Sequence, residues 1–333
     1  MSPTPLKFLT PGWFTVVMGL CGLALAWHSA DAALDEAATG VSLAIGAVAV
    51  CVMLALLVLS VLRASRYPAA LAEDLRHPVR HGFVAAVPVA TLLLVSLAAV
   101  LGVRGVWLDG FWWLAALGQL WATVWVLKRW LVGSQALSAP FWPMVTPVLL
   151  IPVVGNVVVP LAGLALGHPV WAMAQFGVGA LLWPVVLALL LVRRAAQGVL
   201  PERLMPTWFI TIAPPSVIGL VLLQAQAPVM VVSACWGMAV FFVWWAGSIA
   251  KQAVSQPFSL TFWAVSFPLA AFTSLTLRLG LAVGSPGLQM GGTLLLALTS
   301  LVVTGLALAT VRGLRDGSLL APEPVANLVP STA

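Results

Sequence analysis

The sequence predicts an all-α integral membrane protein of ten transmembrane helices, and three observations predict it. Apolar residues make up 62% of the 333-residue chain and charged residues only 7%, too few charges to cover a soluble surface. The apolar residues recur in blocks of about 20, the length an α-helix needs to cross a hydrocarbon slab ~30 Å thick. The basic residues fall almost entirely on one side of the layout those blocks imply.

In chain order the spans run at 12–29, 40–62, 83–103, 110–131, 142–166, 170–192, 207–225, 228–249, 259–281 and 288–311. Lys7 before an apolar stretch and Ala30-Asp31-Ala32 after it imitate a cleaved leader. The Pro11-Gly12 start and the nine later spans favour a retained first helix. The longest connection is Arg63 to Gly82, too short for a soluble domain. Residues 1–315 therefore form a single ten-helix transmembrane domain. Residues 316–333, rich in Pro, Ser and Ala, are expected to be a disordered cytoplasmic tail.

An even number of spans puts both ends on one side. Thirteen of the fifteen basic residues share that side, and only Arg104 and Arg278 face the other. This asymmetry predicts that both termini are cytoplasmic. It also accounts for the net charge of +6 without nucleic acid, since aromatic and basic residues do not interleave.

Interior prolines concentrate in the odd spans: Pro88 in the third, Pro147, Pro152 and Pro160 in the fifth, Pro214 and Pro215 in the seventh, Pro268 in the ninth. Among the even spans only the sixth has one, Pro184. Proline kinks a helix and frees a carbonyl, which in hydrocarbon needs a neighbour or a wet cavity. The pattern predicts odd helices lining something polar and even helices facing lipid.

No acidic residue lies inside a span, which counts against proton relays and cation-selective rings. Buried basic residues are missing too. An anion crossing here would rely on helix dipoles, freed N–H groups and hydroxyls. Candidates are Thr15, Thr91, Ser96, Thr146, Asn156, Ser216, Thr261, Ser266, Thr273 and Ser274. The competing expectation for each hydroxyl is a bond to its own helix. Enzyme chemistry has no support: there is no nucleophile elbow or phosphate-cradling loop. Cys21, Cys51 and Cys235 form no CxxC pair, and Pro78 and Gly82 interrupt any helix that would align His77 and His81. No metal or cofactor is expected. The sixteen tryptophans, many near span ends, read as interface anchors.

Four segments carry a resemblance. They are Asp74-Leu75-Arg76-His77-Pro78 leading into Val87-Pro88; Leu200-Pro201-Glu202-Arg203 with Ala213-Pro214-Pro215-Ser216; Gly12-Trp13-Phe14 through Met18-Gly19; and Phe262-Trp263-Ala264-Val265-Ser266-Phe267-Pro268. In this order and spacing the chain resembles the tellurite-resistance/dicarboxylate transporter family, which includes the plant slow-type anion channels. The resemblance implies five helical hairpins around a central pore, odd helices inside and even helices outside. It implies a homotrimer in a bacterial inner membrane, each subunit with its own pore. It implies that Phe267 plugs that pore, with Phe262 the less favoured alternative and Phe272 a third aromatic on the same span. Pro88, Pro147, Pro152, Pro214, Pro215, Ser216, Ser266, Pro268 and Ser274 would then line or kink the path, and Arg278 would stand at its outer mouth. The expected function is passage of small anions such as chloride or nitrate. The alternative is a carrier of C4-dicarboxylates such as malate, or an exporter of sulfite or a tellurium oxyanion.

Overall fold

The computed structural model describes residues 5–131 and 141–321. Among them the chain is helical, with no strand. The ten principal helices are α1 (Phe14–His28), α2 (Asp31–Arg66), α3 (Ala86–Val100), α4 (Val106–Leu131), α5 (Leu150–Gly163), α6 (Pro169–Gln197), α7 (Ala213–Gln224), α8 (Val229–Val254), α9 (Ser266–Ala282) and α10 (Pro286–Arg315). Nine spans among the described residues are long and apolar enough to cross a membrane, and Pro147–Gly163 supplies a shorter tenth. Beyond residue 321 the expected tail lies outside the described residues.

Odd and even helices differ in construction. The even ones are 26 to 36 residues long. The odd ones have 12 to 17 residues, and at ~1.5 Å per residue even 17 fall short of a ~30 Å hydrocarbon core. Each odd helix is completed by a 3-10 lead-in on the basic face: Pro11–Trp13, Arg80–Ala85, Pro147–Leu149, Glu202–Ile212 and Leu260–Val265. These tighter turns rise ~2.0 Å per residue and make up the missing length.

The prolines explain the switch and correct the expectation of interior kinks. Pro88, Pro152, Pro215 and Pro268 are each the third residue of their α-helix. In the first turn a missing N–H costs nothing. The ring, however, excludes the carbonyl four residues back, so the α-helix cannot extend towards the basic face. Pro214 shares that first turn of α7, and Pro147 opens the lead-in to α5. Of the odd-span prolines only Pro160 lies beyond the first turn of an α-helix, and Pro184 does so in α6.

Each odd helix packs against the even helix that follows it, giving five hairpins. The odd helices also touch one another in chain order, and α9 closes on α1. Their lead-ins form a second closed ring in the same order. Burial confirms the two tiers. In the most apolar stretch of the first, third, seventh and ninth spans, 61% to 78% of residues are buried, against 22% to 39% in the even spans. The even helices expose Leu54, Leu114, Leu181, Trp244 and Leu301, a lipid-compatible outer surface.

Several tryptophans bolt the tiers together. Trp263 Nε1 donates to Thr310 Oγ1 at 2.9 Å, Trp27 Nε1 to Ser300 Oγ at 3.1 Å, Trp236 Nε1 to Thr276 Oγ1 at 3.0 Å, and Trp112 Nε1 to the Val159 carbonyl at 3.0 Å. Trp107, Trp121 and Trp244 are exposed on the outer tier. Two spans differ most from expectation. Helix α2 runs from Asp31 to Arg66, longer than 40–62, and the fifth span is broken into Phe141–Met144, Pro147–Leu149 and α5.

Candidate permeation path and its basic face

The inner ring is tightest where α1 crosses α9. A Cβ at Gly19 would overlap Ser266 Oγ and lie 2.8 Å from Trp263 Cε3. One at Gly22 would lie 3.0 Å from Phe267 Cδ2 and 3.1 Å from Ala270 Cβ. Only glycine lets these backbones approach so closely, and the approach seats the Phe267 ring on the neighbouring inner helix. The other two phenylalanines of this span point elsewhere. Phe262 lies in the lead-in, its ring 5.6 Å from that of Phe258. Phe272 stacks on Trp236 of the outer helix α8 at 6.4 Å. The three residues share a span but not a face, and Phe267 is the one packed between inner helices.

Most candidate hydroxyls spend their single proton on nearby backbone. Thr15 donates to Gly12, Thr91 to Val87, Ser96 to Leu92, Ser216 to Ile212, Ser266 to Trp263, Thr273 to Leu269 and Ser274 to Ala270, all at 2.6 to 3.0 Å. Thr261 donates to the Arg203 carbonyl at 2.6 Å, tying the lead-ins of α7 and α9 together. A hydroxyl so engaged offers an anion no proton. Thr146, buried beside the lead-in of α5, has an unpartnered Oγ1.

Asn156 faces outward from the ring. Its Nδ2 donates to Thr123 Oγ1 at 2.8 Å, and its Oδ1 accepts from Gln175 Nε2 at 3.0 Å. Gln119 Nε2 joins the cluster through the Pro152 carbonyl at 2.7 Å. All four side chains are buried, and the cluster joins inner α5 to outer α4 and α6.

At the far end of α9, half-buried Arg278 donates through Nε to Ser29 Oγ at 3.1 Å, fastening α9 to the α1–α2 turn.

The opposite, basic face is organised by the Asp74-to-Pro78 run, whose role the sequence did not disclose. Asp74 lies on a short helix, Pro68–Arg76, that links α2 to the α3 lead-in. It is 1% exposed and accepts from Arg63 at 2.6 Å and Arg80 at 2.7 Å. Arg63 Nε also donates to the Lys7 carbonyl at 3.0 Å. One carboxylate thus gathers the chain's start, α2, the linking helix and the lead-in of α3. Two charges share it, which is what permits their burial.

His77 works as a cap. Its Nδ1 accepts from the backbone N–H groups of Val79 and Arg80, both at 3.1 Å, satisfying donors ahead of the 3-10 turn. Burial, with the nearby Arg80 charge, lowers its pKa to about 4, Glu73 opposing. Its carbonyl receives His81 Nδ1 at 2.9 Å. The two histidines thus make a turn, and no cluster of three or more metal-ligating residues occurs among the described residues.

A cavity of about 320 Å³ opens on this face among the lead-ins of α1, α3, α7 and α9. Its walls carry Lys7, Arg63, Arg80 and Arg203 together with Glu73 and Asp74.

Known proteins match this sequence. The SLAC1 family, described as voltage-dependent anion channel, matches residues 8–311. The chain is 26% identical over 298 residues to the uncharacterized transporter MJ0576 of Methanocaldococcus jannaschii, covering 81% of this chain and 83% of that one. It is 26% identical over 247 residues to a second transporter of the same organism, MJ0762, covering 66% and 70%. It is 25% identical over 243 residues to the S-type anion channel SLAH3 of Arabidopsis thaliana, covering 73% of this chain and 38% of the plant protein. With a family match across nearly the whole chain and an all-helical fold of membrane-spanning length, this protein belongs to the SLAC1 family of anion channels and transporters.

Proposed function

We propose that the chain is a passive anion channel, or channel-like permease, conducting small anions such as chloride or nitrate down their gradient. The path runs inside α1, α3, α5, α7 and α9, and the Phe267 ring closes it. The observation that supports this reading is the seating of Phe267 against Gly22 where α1 and α9, two helices of the closed ring, meet. An aromatic ring strips an anion of water and returns no hydrogen bond, so a small rotation switches conduction. The inner α-helices bear one arginine, Arg278 near the far end of α9, and most of their hydroxyl protons are spent on backbone. Such a path binds weakly, which suits rapid exit and argues against tight recognition of a dicarboxylate, which favours arginine.

In this reading Pro88, Pro147, Pro152, Pro214, Pro215 and Pro268 shape the path by setting its 3-10 lead-ins. Ser216, Ser266 and Ser274 lie along it, and Arg278 stands at its outer mouth. The protein works as a homotrimer in a bacterial inner membrane with both termini cytoplasmic and residues 316–333 as a tail. The test is anion current across a planar bilayer. A small wild-type current that rises severalfold in Phe267→Ala, reversing with the chloride gradient, supports the gated pore. No current in either, with protein in the membrane, overturns it and directs attention to malate and sulfite uptake.

A further inference from the structure

The cavity on the basic face holds an imbalance that its walls do not resolve. Arg63 and Arg80 are spent on Asp74, and Arg80 also reaches Glu73 at 3.1 Å. Both carboxylates are thereby used. Lys7 and Arg203 line the same cavity and form no ion pair with a described residue. A third donor, the buried Nε of Arg80, has no hydrogen-bond partner. Arg203 is held in place by its backbone: its carbonyl accepts the Thr261 hydroxyl at 2.6 Å, fixing it where the lead-ins of α7 and α9 meet.

We propose that this cavity is an anion-capture site for the permeating ion, with Arg203 and Lys7 as its attracting charges and Asp74 as the internal counter-charge that keeps Arg63 and Arg80 from trapping the ion. The inference rests on the channel reading above. Location favours the permeating ion as occupant, because four of the five inner lead-ins each contribute a wall residue (Trp13, Arg80, Arg203 and Leu260), while the end of α2, the linking helix and Ser318, Leu319 and Ala321 supply other walls. Partial solvation favours capture over tight binding. Half-exposed charges concentrate anions near a mouth and raise the entry rate without deepening a well inside the path.

The experiment is single-channel conductance of wild type, Arg203→Lys, Arg203→Gln and Arg203→Glu in dilute and concentrated chloride. At ~10 mM salt the Debye length is ~30 Å, and at ~1 M it is ~3 Å. A unit charge acting through water over ~8 Å changes local anion concentration about two- to threefold. In dilute salt, conductance is expected to stay near wild type in Arg203→Lys, fall about two- to threefold in Arg203→Gln and fall further in Arg203→Glu. The four should converge in concentrated salt. Lys7→Gln should act in the same sense and compound with Arg203→Gln. Equal conductances in dilute salt, or a loss that persists at ~1 M or in Arg203→Lys, would overturn the capture site while leaving the pore intact. An electrically silent wild type removes both readings.

Discussion

Gly22 of α1 and Phe267 of α9 are complementary: a Cβ at position 22 would stand 3.0 Å from Phe267 Cδ2 and 3.4 Å from its Cα. The absence of a side chain on one inner helix is what seats the aromatic ring of the next. Contact this close couples the two positions. Gly22→Ala is expected to displace the ring by a few tenths of an ångström and change the current. In a Phe267→Ala background the same substitution should have a much smaller effect. A double-mutant cycle on conductance measures this. Independent, multiplicative effects would mean that the two residues do not act together.

The Asn156 cluster separates stability from conduction. Asn156→Ala removes one of the two acceptors of Gln175 Nε2, the Ala116 carbonyl being the other, and the donor to Thr123 Oγ1; the loss of these buried hydrogen bonds costs about 1–3 kcal/mol. The cluster joins α5 to the outer helices. The expected result is a lower thermal midpoint in detergent with unchanged single-channel conductance. A selective loss of conductance at full stability would place Asn156 on the path instead.

His77 should make stability depend on pH. Its folded pKa, about 4, lies below the ordinary histidine value of 6.5, so between those values the unfolded state binds the extra proton. Its contribution is fully present above about pH 6.5 and is lost as pH falls towards 4. Because the ring is partly solvated, the effect is of order 1–2 kcal/mol after screening. His77→Asn keeps an acceptor without a titration. Compared with wild type in thermal melts from pH 7 to 4, it should show a shallower decline. Parallel curves would remove His77 from the account.

The outer tier was easier to read than the inner. The even helices are long, continuous and apolar, and their lipid contact imposes composition residue by residue. The prolines mark the short inner helices, but they do so by position at the helix start, where the sequence reading expected interior kinks. Pro88, Pro152, Pro215 and Pro268 start helices, and position within a helix depends on backbone hydrogen bonding that a list of prolines does not contain. Hydroxyls in the odd spans looked like anion donors. The alternative also visible in the sequence, a bond to the local backbone, is what most of them adopt.

From the sequence alone, the bilayer as solvent determines an all-helical chain, its span count and the gathering of basic residues on one face. Each is a local demand: a length of apolar residues, a satisfied backbone, a charge kept out of hydrocarbon. Tertiary structure alone decided that Phe267 rests on Gly22 while Phe272 turns to Trp236, that Asp74 serves Arg63 and Arg80, and that Lys7 and Arg203 share one cavity. Those relationships join residues dozens to hundreds of positions apart, and they arise only when the ring closes and fixes which face of each helix meets its neighbour.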